Sequence, residues 1–244
     1  MYVLGIETAT DVCGVSLVHN GVVLEEISHE EKHIHAKLLV PMIQQLLLQQ
    51  KMQLTELDGI AISIGPGSFT GLRIGLSVAK GLAYAGDVPL VAVSTLKGIA
   101  ANYFRKCPET DSSVVAVLEV QRDEFAIAKF WRGSVNALEH STTMLWKKKS
   151  SDIAEDFFVE KEKTVILCGA GAMKLYDAYP LAKFQHTMCA ENDFMKCFAA
   201  AIGLLGEKQI LQNDLAELDT LEPLYLKEFV VKTANQFQRI QQAH

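Results

Sequence analysis

Three groups of residues have the types and spacing that chemistry needs. The first is the stretch Ile60 to Ala83, IAISIGPGSFTGLRIGLSVAKGLA, in which Gly65, Pro66, Gly67, Ser68, Phe69 and Thr70 link an apolar run to a helical one. A strand, a glycine loop and a helix N-terminus can together cradle a phosphate on free backbone N–H groups. The details argue against that here. A P-loop needs lysine and then Ser or Thr after its second glycine, and neither follows at that spacing. Gly65, Gly67 and Gly71 read G-x-G-x-x-x-G, one residue longer than the dinucleotide fingerprint, and Asp87 precedes its strand rather than closing it. The second group is His29, His33 and His35. Histidines four apart on one helix face can bind a metal, but these lie in the polar approach to a helix and read as a solvated connector. The third is Ser68 and His35 with the acids, whose spacing supports no nucleophilic triad. Lys147, Lys148 and Lys149 form a charge run, read as a solvated loop rather than a contact to tRNA phosphates.

The elements that position these residues follow from periodicity. Ile60 to Ile64 reads as a buried strand and Thr70 to Tyr84 as a helix, with Ser68 or Thr70 able to cap its first turn. Gly71, Gly75 and Ala79 fall on one stripe, with Leu72, Leu76 and Ala83 beside it. Interior glycines each cost a helix about 1 kcal/mol against alanine. The expected reason is close approach of another helix, in this chain or in a partner. A second helix, Ala36 to Gln49, carries an apolar arc of Leu38, Leu39, Met42, Ile43, Leu46 and Leu47, and Pro41 should restrict it. The arc is wide for a helix packed only on its own sheet. These two helices are therefore the expected partner interface, through Leu38, Leu39, Met42, Leu46, Gly71, Leu72, Gly75, Leu76 and Ala79. On that reading Gly75→Leu abolishes pairing and leaves the monomer folded.

Composition bounds the rest. The 244 residues are 49% hydrophobic and 21% charged, with a mean hydropathy of +0.15, which is ordinary globular composition. A net charge of −6 argues against an independent binder of tRNA or DNA, which usually shows a basic face. The five cysteines are odd in number, scattered and without a C-x-x-C, which suits a reducing compartment. No basic, apolar leader opens the chain and no run is long enough to span a membrane. The expectation is a soluble, cytoplasmic protein.

One pattern occurs twice. The first part reads strand (Tyr2 to Ile6), turn, strand (Cys13 to Val18), Asn20-Gly21, strand (Val22 to Ile27), helix, then the strand before Gly65. The second reads strand (Val114 to Val120), turn, strand (Phe125 to Trp131), Arg132-Gly133, strand (Val135 to Leu138), helix (Asp152 to Val159), then Val165 to Cys168 before Gly169-Ala170-Gly171. This is a βββαβα unit used twice. A polar stretch at 107–113 divides the halves. The division expected is 1–106, 107–212 with a long helix from Asp193 to Leu211, and a tail 213–244 packing back on the first half.

The duplicated three-strand start, with Glu7-Thr8-Ala9-Thr10 as its acidic first turn, resembles the actin-like ATPase superfamily of acetate kinase, sugar kinases, heat-shock chaperones and actin. Within it, GPGSFTGLRIGLSVAKGLA, Val93-Ser94-Thr95-Leu96, His35 to Pro41 and Glu222 to Lys227 are similar to the bacterial TsaB (YeaZ) family. The resemblance implies an α/β fold of two actin-like (ribonuclease H-like) domains with mixed sheets flanked by helices. It implies a non-catalytic subunit in the formation of N6-threonylcarbamoyladenosine beside the anticodon of tRNAs reading A-starting codons. The implied partners are TsaD in a heterodimer and the ATPase TsaE in a ternary complex, with a homodimer when alone and tRNA met only through the complex. No cofactor is implied for this subunit, ATP belonging to the complex interface or to the partners. The superfamily's phosphate chemistry uses an aspartate in each half, and Glu7 and Glu119 stand there. Glu7, Thr8, Thr10 and Glu119 are thus the cofactor candidates. The reading preferred from the residues is that the carboxylates bond backbone N–H groups of their own turns. The alternative function is an actin-like enzyme with its own ATPase or glycoprotease-like peptidase activity.

Overall fold

Apolar runs at the start of the chain form an antiparallel meander of β1 (Tyr2–Glu7), β2 (Val12–His19) and β3 (Val22–Glu30). Asn20 and Gly21 close the second hairpin with φ of 48° and 78°, the two positive values a type I′ turn needs. After helix α1 (His35–Gln49), strand β4 (Gly59–Gly65) pairs parallel to β1. Helix α2 (Phe69–Gly86) then leads to β5 (Leu90–Ser94), parallel to β4, and α3 (Thr95–Lys106) closes the half. The sheet order is β3-β2-β1-β4-β5. The computed structural model describes residues 1–31, 33–108, 111–131, 144–149, 158, 164–178, 186–190 and 192–224.

The second half repeats the order. Strands β6 (Ser113–Gln121), β7 (Glu124–Phe130), β8 (Met144–Lys149), β9 (Val165–Cys168) and β10 (Thr187–Cys189) form a sheet β10-β9-β6-β7-β8. The first strand of each half is therefore central, flanked by an antiparallel meander on one side and parallel crossovers on the other. A short helix α4 (Ala172–Ala178) follows β9, as α2 follows β4. The strand expected at 135–138 and its preceding turn lie outside the described residues, as does the helix expected at 152–159 apart from Phe158. The lysine run 147–149, read as a loop, lies in strand β8 against β7.

The long helix expected from Asp193 to Leu211 is two pieces. A 3-10 turn (Asn192–Met195) is followed by α5 (Ala199–Leu211), which Phe198 enters with an extended backbone. The expected boundaries group α5 with the second half, but it lies on the first sheet. Ser16 Oγ donates to Ala199 O at 2.8 Å, and the Glu26 carboxylate accepts from Ala200 N at 2.8 Å. Val3, Val91 and Val93 of the first sheet share one core with Val114, Ala116, Phe130 and Cys168 of the second, joined by Ile99, Ile202 and Leu205. The opposite face of the first sheet packs Leu4, Ile6 and Ile62 against α1 and α2. From α5 the chain returns along the first half. Ala216 N donates to Leu90 O and Leu224 N to Ile64 O, each at 2.8 Å. Leu218 and Leu221 pack on its core.

Candidate functional site: two turns and a helix pair

The glycine turn docks on the turn that follows β1. Gly65 takes a φ of 115°, a conformation that L side chains rarely adopt. Ser68, not Thr70, caps α2, its Oγ accepting from Gly71 N at 3.2 Å. Ser68 N donates to Ala9 O at 2.7 Å. A Cβ on Gly71 would run into the Thr8 carbonyl oxygen, and one on Gly75 into the Thr8 hydroxyl. The glycine stripe thus admits the backbone of the first turn. The expectation that it admits a neighbouring helix is corrected: the close approach is to a turn of the same half.

That turn carries Glu7, which is fully buried. Its Oε1 accepts from Ala9 N (2.8 Å), Thr10 N (3.1 Å) and Thr10 Oγ1 (3.3 Å). Its Oε2 has no hydrogen-bond partner among the described residues. Burial pushes the carboxyl up to about 7, against the pull of Ser63, Cys197 and the two turn N–H groups. The same burial, with Glu7 close by, raises the thiols of Cys13, to about 11, and of Cys197. Thr8 N donates to Ser63 Oγ at 3.4 Å, and Thr8 Oγ1, also buried, is unpartnered. The structure therefore joins Glu7, Thr8 and Thr10 in one turn, with no exposed carboxylate to meet a phosphate.

The corresponding turn of the second half differs. Glu119 is a third exposed; its Oε1 is ion-paired with Lys174 of α4 and accepts from Asp123 N at 3.4 Å. Lys174 also lies 3.4 Å from Asp123 Oδ1. Nothing local in the sequence signals either Lys174 beside Glu119 or Cys197 beside Glu7, since topology alone joins them. Of the three histidines, His35 is buried and its Nε2 donates to Thr10 O (3.1 Å) and Val12 O (3.3 Å), bracing the first turn. His29 and His33 are exposed. Among the described residues no three His, Cys, Asp or Glu are placed to hold a metal ion.

Comparison with known proteins decides the family. The model of the family described as TsaD, tRNA N6-adenosine threonylcarbamoyltransferase, matches residues 21–233. The chain is 31% identical over 230 residues to the tRNA threonylcarbamoyladenosine biosynthesis protein TsaB of Haemophilus influenzae, covering 93% of this chain and 94% of that one. It is 36% identical to the TsaB of Escherichia coli over 132 residues, 54% of this chain and 56% of that one. The chain belongs to the TsaB (YeaZ) family. A Pseudomonas aeruginosa structure described as YeaZ superposes with a TM-score of 0.77 at 25% identity, covering 92% of this chain and 99% of that one. The twice-used strand order is that of the actin-like fold.

In this TsaB-family chain the helix pair α1 and α2 lies side by side over one face of the first sheet. The residues expected to meet a partner are mostly turned inward. Leu39, Met42, Leu46, Gly71, Leu72, Gly75, Leu76 and Ala79 are buried in the chain's own core, and only Leu38 is half-buried. These side chains face the chain's own sheet rather than a surface. The outward face is instead Val40 (44% exposed) and Leu48 (79%) on α1, with Tyr84 (85%) on α2 and the half-buried Ile74, Val78 and Leu82. The Arg73 guanidinium lies 3.9 Å over the Phe69 ring at the start of α2. Among the described residues no helix is long and apolar enough to cross a membrane.

Proposed function

We propose that this chain acts in tRNA threonylcarbamoyladenosine biosynthesis as a non-catalytic subunit that holds a TsaD-type transferase. Its relatives in Haemophilus influenzae and Escherichia coli bear that pathway's name, and the matching family model is that of the transferase. The observation that carries the silent role is Glu7. The carboxyl that stands where the superfamily places its catalytic aspartate is sealed, with one oxygen committed to its own turn. Glu119 is occupied by Lys174. Phosphoryl chemistry needs charge placed against the transferring group, and neither carboxyl is free to supply it. The same features count against the chain's own ATPase or peptidase activity. TsaE joins as a further partner, the chain pairs with a second copy when alone, and tRNA is met through the complex.

The docking face is the outward ridge of α1 and α2. Val40, Leu48, Ile74, Val78 and Leu82 offer apolar area on two adjacent helices, the arrangement that helix-on-helix association uses. Gly75→Leu cannot test this, because the side chain would strike Thr8. Val40→Glu combined with Leu48→Glu, both at exposed positions, does. The pair is expected to weaken TsaD binding by roughly a hundredfold, since charge replaces apolar contact at a buried interface, while the monomer's melting temperature stays within a few degrees. Reconstitution with TsaD, TsaE, a TsaC-type enzyme, threonine, bicarbonate, ATP and tRNA reads the outcome as modified adenosine by mass spectrometry. Modification that proceeds equally without this chain overturns the reading.

A further inference from the structure

The Glu7 carboxyl joins three parts of the fold that sequence keeps far apart. It closes the β1–β2 turn through Ala9 and Thr10. Across the sheet it faces Ser63 of β4, and above it lies Cys197 on the segment that enters α5. Cys197 is fully buried, and a Cβ on Gly98 of α3 would meet its Sγ at 2.8 Å, so the thiol is wedged between Glu7 and α3. One carboxyl oxygen is satisfied three times and the other not at all. An anion in that position is a buried charge faced by neutral groups, Ser63 Oγ and Cys197 Sγ among them, with burial outweighing what they return, which is costly. A neutral acid places an O–H there, and Ser63 Oγ or Cys197 Sγ can accept it.

We infer that Glu7 is a proton-operated latch: as the neutral acid it holds the first turn of the chain against the entry to α5, and on ionisation it loosens that joint. The groups that face it leave the charge uncompensated. β2 presents the Cys13 thiol, β4 the Ser63 hydroxyl, and the α5 entry the Cys197 thiol. Glu26 of β3, beyond Cys197, is itself a carboxyl and is held by Ala200 N. From α1, His35 bonds the carbonyls of Thr10 and Val12 rather than the carboxyl. α2 and α3 approach with Gly75 against Thr8 and Gly98 against Cys197. No lysine or arginine is among these groups. Because α5 also packs against the core shared with the second sheet, the latch acts on how firmly the two halves are joined. Burial holds the proton to about pH 7, which places the change within the range a cell visits.

The experiment uses the full chain and its Glu7→Gln variant, in which the amide imitates the neutral acid. Carbon-13 spectra of glutamate-labelled protein locate the Glu7 carboxyl by its absence from the variant. Amide hydrogen exchange, corrected for its intrinsic pH dependence, follows Ala9, Thr10 and residues 200–202. Between about pH 5.5 and about pH 8 the opening constant of these amides is expected to rise roughly thirtyfold in the parent protein and to stay level in Glu7→Gln. A Glu7 carboxyl that titrates in the ordinary carboxylate range overturns the inference. So does an equal rise in both proteins, which assigns the effect to a group other than Glu7. If the variant does not fold, exchange in the parent decides: a rise of this size at Ala9, Thr10 and residues 200–202 supports the latch, and a level opening constant removes it.

Discussion

Glu7 and Glu119 occupy the same place in the two sheets, at the end of the central strand, and meet opposite fates. Glu7 is sealed under the entry to α5, is bonded by its own turn, and keeps its proton to about pH 7. Glu119 faces solvent, bonds the N–H of Asp123 and holds Lys174. The duplicated topology fixes where the backbone goes, and what covers the turn fixes the chemistry of its side chain. α5 covers the first turn. Over the second, among the described residues, lies the short α4, whose Lys174 reaches back as a cation. The two carboxyls are thus held differently: one by burial, the other by an exposed ion pair.

The largest expected effect comes from the glycines that let each turn lie close to the next helix. Gly71→Ala places a methyl group on the carbonyl oxygen of Thr8, a backbone atom that cannot step aside. Gly171→Ala, in the glycine turn of the second half, meets Glu119 N at 2.7 Å. Overpacking of this kind costs roughly 1–3 kcal/mol, occasionally more. Gly71→Ala should lie at or above the top of that range and Gly171→Ala within it. Urea denaturation of the two variants checks the order. A Gly71→Ala protein as stable as Gly171→Ala would mean that the first turn is held less tightly than its contacts indicate.

A smaller effect separates the two carboxyls by pH. The folded Glu7 carboxyl holds its proton up to about 7, whereas its ordinary value is 4.5. Below 4.5 both folded and unfolded chains are protonated there, and burial exacts no charge penalty. As pH rises through the window between these values, the unfolded chain sheds the proton first, and stability falls. Above about 7 the loss is complete and amounts to roughly 2–3 kcal/mol. Glu7→Gln should therefore match the parent at about pH 4.5 and exceed it by about that amount at about pH 8. Denaturation midpoints at the two pH values check the sign as well as the size.

Much of this architecture was legible in the chain. Apolar runs and Asn20-Gly21 marked the first meander, and its three strands and the strand before Gly65 stand where the pattern put them. The Ile60 to Ala83 signature showed the strand, turn and helix. Less legible was anything that depends on which stripe of a helix faces inward. Leu39, Met42 and Leu46 make an arc of the same chemistry whether it meets a partner or the chain's own sheet, and only the docking of α1 on β2 chose the latter. Gly71 and Gly75 announced a close approach without naming its object. The object, Thr8, is more than sixty residues away in sequence and adjacent only because β1 and β4 pair. The placing of α5 on the first sheet was invisible for the same reason, and with it the cover over Glu7.

The smallest effect belongs to the second turn, and its smallness is informative. Glu119→Gln removes the partner of Lys174, but that lysine is exposed and keeps Asp123 within reach. An ion pair in water gains little, because the solvent screens it and the side chains lose freedom to form it. The turn itself is held by backbone: Gly171 N donates to Val117 O at 3.1 Å, and Ala172 N to Gly169 O at 2.9 Å. The variant's denaturation midpoint should therefore coincide with the parent's at every pH between about 5 and about 8, and raising the salt concentration should change both alike. A pH-dependent gap in Glu119→Gln like that of Glu7→Gln would show that the second carboxyl is also buried in solution. The contrast between the halves would then reduce to which helix covers which turn, with no difference left in how their carboxyls are held.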